Sequence, residues 1–419
     1  MHERLVWHMK ATGIIAEYNP FHGGHQYHIE KAKERTDSQY CVAVMSGDFV
    51  QRGEPAIFSK YLRTKMALTC GADVVIELPS LFASSSAEDF AACGIALLTA
   101  LGTVDTVCFG SEDGNIDAIL SAASLLEKED LEFSQKLKKG LRQGLSWPQA
   151  RNAALISLSG MQEKALNRLL GSPNNLLGIE YCKAIKRQES PLTPVTILRN
   201  GQGYHDSTLD GAQASASALR KALLQKEEPL CGLFPHIPPE IQTLYGQGLP
   251  LSPKDCSSLL NYTLLTMLHE GRDLTLYADM SQELADRLKH CLLQYEDWEG
   301  RIRQLKTRQY TYTRISRALL QLMLGVTKEM REEGKEAGFA PYARILGFRK
   351  SALPLLSQLK KDSSIPLITK TAGAESLLTG TAIKLFKQDL YASHVRQCLE
   401  AEKYGSTPRN EYNQPICIL

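Results

Sequence analysis

Two histidines, His22 and His25, stand three residues apart where a short apolar segment turns through a proline into a helical pattern. The first turn of a helix presents unpaired backbone N–H groups and the positive end of the helix dipole, and together these attract anions. Gly23 and Gly24 let the backbone approach a phosphate closely. Two imidazoles at this spacing share one face of the first turn, where they can donate hydrogen bonds to phosphate oxygens. The segment therefore predicts a phosphate site that stabilises the charge of a departing pyrophosphate.

Two other interpretations of this segment stay open on the residues alone. The first is a plain turn whose histidines face solvent. The second is a metal site, because His22, His25 and His28 recur at a spacing of three. Helical metal ligands are more often spaced by four, and no cysteine or aspartate completes a ligand set here. Phosphate binding is the hypothesis that we favour.

Strand and helix patterns alternate along the first half of the chain. This alternation predicts a parallel sheet with helices on both faces, which is a doubly wound α/β fold. The ligand site of such a fold lies at the carboxyl ends of the strands, where the strand order reverses. The predicted strands are residues 12–17, 40–45, 73–78, 106–110 and 191–199, and the predicted helices are 25–35, 63–70, 87–101, 176–187 and 215–224, with a mostly helical stretch over 119–170.

The pattern changes near residue 230, where helices become separated by proline and glycine. We therefore predict a doubly wound domain over residues 9–229 and a mainly helical C-terminal region over 230–419. The tail beyond residue 351 mixes short strand and helix patterns and receives no assignment.

Composition narrows the class of protein. A hydrophobic content of 43% is ordinary for a soluble domain, and a net charge of +2 means that any nucleic-acid surface is a local patch. The ten cysteines form no CxxC pair, which indicates free thiols in a reducing cytosol and neither a disulfide framework nor a zinc site. No apolar stretch reaches the ~18–20 residues of a membrane span. We expect a cytoplasmic protein.

One local basic patch stands out at residues 301–317, which hold six Lys or Arg side chains and no acid. Basic charge interleaved with Tyr310 and Tyr312 suits RNA, because cations pair with phosphates and tyrosines stack on exposed bases. An amphipathic helix with a solvated basic face is the alternative. A second basic cluster precedes an apolar helix at residues 60–65. The candidate nucleic-acid contacts are Lys60, Arg63, Lys306, Arg308, Tyr310, Arg314 and Arg317.

The HxGH segment after the first strand resembles the HIGH motif of nucleotidyltransferases and class I aminoacyl-tRNA synthetases, in which the histidines hold ATP phosphates. The usual Gly, Phe and Asp before the proline are replaced here by Glu17, Tyr18 and Asn19. The version EYNPFHGGH is instead similar to a bacterial family, the tRNA(Met) cytidine acetate ligases. Further segments resemble that family in the same order, namely residues 43–55, 59–68, 109–112, 173–178 and 215–220.

This resemblance implies a Rossmann-like HIGH-motif catalytic domain followed by a region that helps to hold tRNA. It also implies the reaction. ATP and acetate give acetyl-adenylate and pyrophosphate, and the acetyl group then passes to N4 of the wobble cytidine of elongator tRNA(Met). ATP chemistry further implies Mg²⁺, although no ligand set for it is visible in the sequence.

The resemblance also implies site residues, with His22 and His25 as the catalytic pair. Gly110 leaves room for adenine or ribose, Asn174 bonds the nucleoside or merely caps a helix, and Arg199 pairs with phosphate. Ser217 and Arg220 clamp the outer phosphates, although a plain serine cap is the alternative for Ser217 and for Ser215. The full expected ATP site is Ile15, Ala16, Glu17, Tyr18, Asn19, Pro20, Phe21, His22, Gly23, Gly24, His25, Gln26, Tyr27, His28, Gly110, Asn174, Arg199, Ser217 and Arg220.

Two rival functions use the same motifs. An adenylyltransferase acting on a phosphorylated small-molecule cofactor precursor would share the ATP site and need no basic C-terminal surface. A noncatalytic RNA-binding protein would keep the fold, but the intact HxGH argues against it. Asp48 and Glu54 lie on loops near the predicted site. Neither is required as a base, because the amine attacks an already activated anhydride and positioning can suffice.

Overall fold

A mixed eight-stranded β-sheet organises the computed structural model, which describes residues 9–127, 131–145, 147–159, 163–199, 214–225 and 229–419. A separate two-stranded hairpin, β3–β4, follows the second strand. The strands are β1 (Ala11–Ala16), β2 (Tyr40–Ser46), β3 (Phe49–Val50), β4 (Glu54–Pro55), β5 (Val74–Leu78), β6 (Thr106–Ser111), β7 (Thr193–Leu198), β8 (Ala343–Phe348), β9 (Leu367–Ile368) and β10 (Cys417–Ile418).

The order across the sheet is β10-β8-β5-β2-β1-β6-β7, with β9 beside β8. Five strands of this sheet come from the first half of the chain, and they are mutually parallel: β1, β2, β5, β6 and β7. Because β1 lies between β2 and β6, the winding direction reverses at the carboxyl end of β1. The expected doubly wound sheet is confirmed, and its reversal point lies where the HxGH segment leaves β1.

Helices cover both faces of the sheet. The first half contains α1 (Gly23–Thr36), α2 (Lys60–Thr69), α3 (Ser80–Ala83), α4 (Ala87–Ala100), α5 (Ile116–Glu127), α6 (Leu131–Arg142), α7 (Trp147–Ser159), α8 (Glu163–Gly171), α9 (Pro173–Arg187) and α10 (Ala216–Gln225). The second half contains α11 (Gln242–Gly246), α12 (Ser257–His269), α13 (Gln282–Cys291), α14 (Trp298–Leu305), α15 (Tyr312–Met323), α16 (Lys328–Glu336), α17 (Leu353–Asp362) and α18 (Gly380–Tyr404).

Alternate residues of each strand enter different apolar cores, as the two-residue period of a strand requires. Met45 of β2 belongs to one buried cluster with Met66 of α2. Its neighbour Val44 belongs to the other, with Leu98 of α4 and Ile179 of α9. Each such side chain stabilises the fold by about 1.5–3 kcal/mol when fully buried. The two cores hold the strand ends, and therefore the loops that follow them, in fixed positions.

The C-terminal region is mainly helical, as expected, but it also extends the sheet. β8 pairs antiparallel with β5, and β9 and β10 flank β8. Buried residues of α12, α15 and α18 share the core that contains α4 and α9. These strands were not predicted, because they are short and lie among strong helical patterns. The division at residue 229/230 stays a prediction, since one sheet and one core cross it.

All ten cysteines are free thiols, six of them buried. Within the described ranges, no helix is long and apolar enough to cross a membrane.

Candidate active site

A cleft of about 210 Å³ opens at the carboxyl ends of β1, β6 and β7. It therefore lies at the reversal point of the sheet, where a doubly wound fold binds its ligands. The lining combines the predicted ATP residues with a small apolar wall. The lining residues are Ile15, Ala16, Glu17, Tyr18, Asn19, His22, Gly24, His25, Tyr27, His28, Gln51, Arg52, Phe90, Phe109, Gly110, Asn174, Leu177, Tyr181, Ile197, Leu198, Arg199, Ala214, Ser215, Ala216, Ser217 and Arg220.

The two histidines of the motif cap the helix that carries them. Nδ1 of His22 accepts from the backbone N–H of Gly24 at 3.0 Å, and the backbone N–H of His22 donates to Nδ1 of His25 at 3.2 Å. The ring centroids lie 3.9 Å apart, with the ring planes tilted by 36°. A neutral imidazole that accepts at Nδ1 carries its proton on Nε2. Both rings therefore have an Nε2–H donor, and the cleft that they line can place a phosphate against it.

The histidines of this segment stay neutral near pH 7. Burial, aided by the charges of Arg199 and Arg220, lowers the pKa of His22 to about 3. Burial holds the pKa of His25 well below its usual range and lowers the pKa of His28 to about 4. The site thus offers uncharged hydrogen-bond donors, and its positive charge comes from the arginines that line it, Arg52, Arg199 and Arg220.

Arg63 lies beneath the loop that joins β1 to α1. Its Nε donates to the carbonyl of Phe58 at 3.0 Å, and Nη1 donates to those of Glu17 at 2.6 Å and Ser46 at 3.0 Å. Nη2 donates to the carbonyl of Gly47. One planar guanidinium therefore ties together the ends of β1 and β2, and this fixes where the HxGH loop begins.

The same loop is held from two further directions. The side chain of Asn19 accepts from the backbone N–H of Ile57 at 2.7 Å, and its carbonyl accepts from Nη1 of Arg220 at 2.7 Å. The hydroxyl of Tyr245 donates to the carbonyl of Phe21. The peptide bond between Asn19 and Pro20 is cis. These hydrogen bonds hold the loop backbone at Asn19 and Phe21, and only the bond to Ile57 uses a side chain of the loop, that of Asn19.

Gly110, Asn174 and Arg199 come together on the opposite wall. A Cβ on Gly110 would lie 3.1 Å from Cγ of Arg199, so a side chain there would displace the arginine. Nη1 of Arg199 donates to Oδ1 of Asn174 at 3.2 Å. Nδ2 of Asn174 donates to Glu112 at 2.7 Å. This wall can hold a nucleoside against the backbone of β6, with the arginine above it.

The two asparagines after Pro173 differ in their roles. Asn175 is fully buried and bonds the backbone of Glu112, so it is structural. Asn174 lines the cleft. Glu112 accepts from the backbone N–H groups of both asparagines and so caps the start of α9. The sequence signal for this role was an acid after β6 followed by a Ser-Pro helix start.

Ser215 caps the helix α10, whereas Ser217 bonds Arg220, and the phosphate-binding role of Ser217 stays a prediction. Oγ of Ser215 accepts from the backbone N–H of Ala218 at 3.1 Å, which is the helix-capping role. Oγ of Ser217 accepts from Nη2 of Arg220 at 3.1 Å. Both serines line the cleft, and so does Arg220, which also bonds the HxGH loop at Asn19. This arrangement brings the downstream signature next to the motif.

Some expected ATP residues do not line the cleft, namely Pro20, Phe21, Gly23 and Gln26. Five polar or aromatic lining residues were not among those expected to bind ATP, namely Gln51, Arg52, Phe90, Phe109 and Tyr181. Gln51 belongs to the tip of the β3–β4 hairpin, where its backbone N–H donates to Glu17 at 2.9 Å. The turn glycine Gly53 was the available signal for this hairpin, because its φ is 77°.

Two predicted nucleic-acid residues are corrected by the structure. Lys60 and Arg63 are fully buried, so neither offers its charge to an RNA on the surface. Nζ of Lys60 lies 2.8 Å from Glu77 and 2.7 Å from Glu411. The apolar helix pattern was right, but the cations lie on the inward side because buried acids and carbonyls stabilise them there.

In the structure, some side chains of the basic stretch 301–317 bond within the protein and others are exposed. Arg317 contacts Asp279 at 3.2 Å, and Arg314 donates to the carbonyl of the same residue at 3.5 Å, so both help to hold α15 in place. The hydroxyl of Tyr310 bonds Ser281 at 2.7 Å. Lys306 and Arg308 are exposed on the loop between α14 and α15. These two side chains are available to RNA.

The structure gives no support to the metal-site interpretation of the histidines. Throughout the ranges that the structure describes, no three His, Cys, Asp or Glu side chains come together as a metal-binding group.

The doubly wound sheet, the capped HxGH helix and the Ser/Arg signature together define a HIGH-type nucleotidyltransferase. In agreement, residues 9–411 match the sequence model of the family described as HIGH Nucleotidyl Transferase.

Comparison with known proteins narrows the class. The chain is 37% identical to a tRNA(Met) cytidine acetate ligase of Caldanaerobacter subterraneus over 92% of this chain and 94% of that one. It is 41% identical to a tRNA(Met) cytidine acetate ligase of Clostridium acetobutylicum over 86% and 90% of the two chains. A crystal structure of Thermotoga maritima TmcAL bound with alpha-thio ATP superposes with a TM-score of 0.86 at 29% identity, covering 98% of this chain and 100% of that one. The chain belongs to the tRNA(Met) cytidine acetate ligase family.

Proposed function

We propose that this protein is an ATP-dependent ligase that activates acetate as acetyl-adenylate and transfers the acetyl group to N4 of the wobble cytidine of elongator tRNA(Met). The family membership supports the reaction, because the relatives named above carry that activity in their names. The cleft supports the activation step, and the exposed cations near α15 support the RNA acceptor.

The observation that carries the proposal is the convergence on one cleft of four side chains that can bind phosphate. His22 and His25 offer Nε2–H donors at the start of α1, and Arg199 and Arg220 face them from β7 and α10. Neutral donors and fixed guanidinium groups stabilise a departing pyrophosphate better than they stabilise bound ATP, because charge develops on the leaving oxygens.

The rest of the site orients the reactants. Gly110 and Asn174 receive the nucleoside on the β6 side of the cleft. Mg²⁺ bound to the nucleotide phosphates would neutralise part of their charge. Lys306 and Arg308 pair with phosphates of the tRNA. The ten free thiols suit a reducing cytosol, where we place the protein.

The test is transfer of label from radioactive acetate into unmodified elongator tRNA(Met). The reaction is run with and without ATP, and with other tRNAs as controls. Label that depends on ATP and appears in that tRNA alone supports the proposal. Pyrophosphate formation without transfer to any tRNA would favour an adenylyltransferase of small molecules instead.

A further inference from the structure

The β3–β4 hairpin separates the cleft from the C-terminal helices. Gln51 and Arg52 at its tip line the cleft. On the other side, the carbonyl of Gly53 accepts from Oγ of Ser316 at 2.8 Å, and a Cβ on Gly53 would lie 2.3 Å from the backbone nitrogen of Arg317. The hairpin therefore cannot turn away from α15, and its first residue after the tip keeps one position at the edge of the cleft.

That residue is Glu54, and its carboxylate is incompletely satisfied. The side chain is only 15% exposed, and Oε1 has no hydrogen-bond partner among the described residues. Nε of Arg220 lies 3.8 Å from Oε1, which is beyond hydrogen-bond distance. A buried carboxylate oxygen without a donor is costly and is rare in native proteins. Its position beside a lining arginine indicates that a ligand supplies the missing donor.

The surroundings make this carboxylate more basic than an exposed one. Burial raises the pKa of Glu54, and Glu17 and Glu299 add to the rise, whereas Arg220 and Arg52 oppose it. A raised pKa strengthens a carboxylate as a proton acceptor. The charged and titratable groups that face it are Glu17, Arg52, Arg220, Cys256, Glu299 and Tyr312.

We propose that Glu54 holds the exocyclic amine of the acceptor cytosine and accepts its proton during acetyl transfer. The inference rests on the proposed function and assigns a residue to its second step. An ionised carboxylate only accepts hydrogen bonds, and N4 of cytosine presents two donors, so the pair is complementary. Gln51 on the same hairpin adds an amide that can donate to the acceptor atoms of the same base edge.

The direction of RNA approach agrees with this assignment. Glu299 and Tyr312 bond each other at 2.5 Å on the outer side of the hairpin, at the starts of α14 and α15. The exposed Lys306 and Arg308 lie on the loop that joins these two helices. An RNA held by these cations can therefore present an unstacked base at the hairpin, on the β2 side of the cleft and opposite the nucleoside wall.

The transfer step balances with this residue as base. N4 of cytosine attacks the carbonyl carbon of acetyl-adenylate, and a C–N bond forms. The bond from that carbon to the phosphate oxygen breaks, and AMP leaves with the electron pair. The nitrogen becomes acidic as it is acylated, and one N4 proton passes to Oε1 of Glu54.

The experiment separates the two half-reactions in the full-length protein. Acetate-dependent exchange of pyrophosphate into ATP reports activation, and single-turnover acetylation of tRNA(Met) reports transfer. We expect Glu54→Gln to keep exchange within about threefold of the native rate and to slow transfer about 10²-fold or more. The native transfer rate should fall as the pH is lowered past the raised pKa of Glu54. The transfer rate of Glu54→Gln should lose this pH dependence. Glu336→Gln removes an exposed carboxylate at the end of α16 and serves as the matched control, with both rates unchanged.

Two results would overturn the inference. Native-like transfer by Glu54→Gln would show that the carboxylate plays no part. A parallel loss of exchange and transfer would show that Glu54 only positions Arg220. If the native protein acetylates no tRNA at all, the proposed function itself fails, and that outcome is visible before any variant is made.

Discussion

The backbone N–H of His22 donates to Nδ1 of His25 over 3.2 Å, and this single bond selects the tautomer of the second imidazole. A capping box usually combines a hydroxyl residue with a glutamate. Here two imidazoles play both parts. The contacts that start α1 therefore also direct the proton of each ring to Nε2, without a carboxylate partner.

Removing either imidazole should abolish most adenylate formation. His22→Ala and His25→Ala each delete one donor to the departing pyrophosphate, and such a loss typically slows the chemical step about 10²–10³-fold. Each variant also loses a cap worth about 1 kcal/mol, so both should remain folded. Pyrophosphate exchange measures the first effect and urea unfolding the second. Gln26→Ala on the same helix is the control, and near-native exchange by either histidine variant would refute the site.

The lowered pKa values of the buried histidines make the stability of the fold sensitive to acid. The unfolded chain binds protons near pH 6.5, whereas His22 and His28 bind them only near pH 3 and pH 4 in the native state. Between those values the unfolded state holds more protons, so stability is full above pH 6.5 and falls as the pH drops. Each histidine contributes about 1.4 kcal/mol per pH unit in that window. Urea unfolding measured from pH 7 to pH 5 gives the free energy of unfolding as a function of pH. This free energy should fall less steeply with pH for His28→Gln than for the native protein, and an equal fall would contradict this account.

Arg63 should behave as a structural residue of the ATP site, not as an RNA contact. Arg63→Lys replaces a planar fork with one ammonium, which cannot reach all four carbonyls. Leaving buried acceptors unpaired should lower the free energy of unfolding by about 3 kcal/mol and raise the KM for ATP. The salt dependence of tRNA binding should stay native. Lys65→Ala on the same helix controls for the loss of a cation. A reduced salt dependence of tRNA binding in Arg63→Met, which removes the charge, would restore the RNA role.

Lys306 and Arg308 should carry part of the tRNA affinity. Each alanine variant should weaken binding, and each should reduce the slope of log affinity against log salt by about 1. Exchange of pyrophosphate should not change, because both side chains lie outside the cleft. Lys361→Ala, an exposed cation on α17, is the control. Unchanged affinity in the double variant would remove this loop from the RNA surface.

Lys60 should be among the least replaceable residues of the chain. Lys60→Met leaves Glu77 and Glu411 buried near each other without the shared ammonium. Removing one partner of a buried charge pair typically costs about 3–5 kcal/mol. Thermal unfolding of Lys60→Met should therefore show a large loss, and a Lys60→Met, Glu411→Gln double variant should recover part of it. Equal stability of the two variants would show that the pair is not coupled.

Much of the first half could be predicted from the sequence, because its strands and helices have strong periodic patterns. That His22 and His25 lie together in a cleft also followed from local chemistry, since both histidines stand within one helical turn. Their binding of phosphate stays a prediction. Asn174 and Arg199 needed a family resemblance, because only the fold brings β7 and the start of α9 to one wall. The capping of α1 by its own histidines could not be predicted, because hydroxyl and acidic residues usually fill those positions.

The main error of the sequence-based predictions was to place charged side chains on the surface that are in fact buried. Lys60 and Arg63 look like exposed cations because their partners come from distant positions. Glu411 lies about 350 residues away from Lys60, and the carbonyls that Arg63 bonds belong to three different loops. The strand β8 was missed for a similar reason. Its neighbour in the sheet, β5, lies far away in the sequence, and its own six residues give little pattern.

The antiparallel insertion of β8 beside β5 has a consequence for protein engineering. A fragment that ends near residue 229 would leave the edge of β5 uncovered and Lys60 without Glu411. The two halves are therefore better treated as complementary fragments than as separable modules. When the two fragments are produced separately and mixed, they should recover the cleft only on reassociation. The chain therefore offers a natural place to install a split reporter whose signal depends on association of the two fragments.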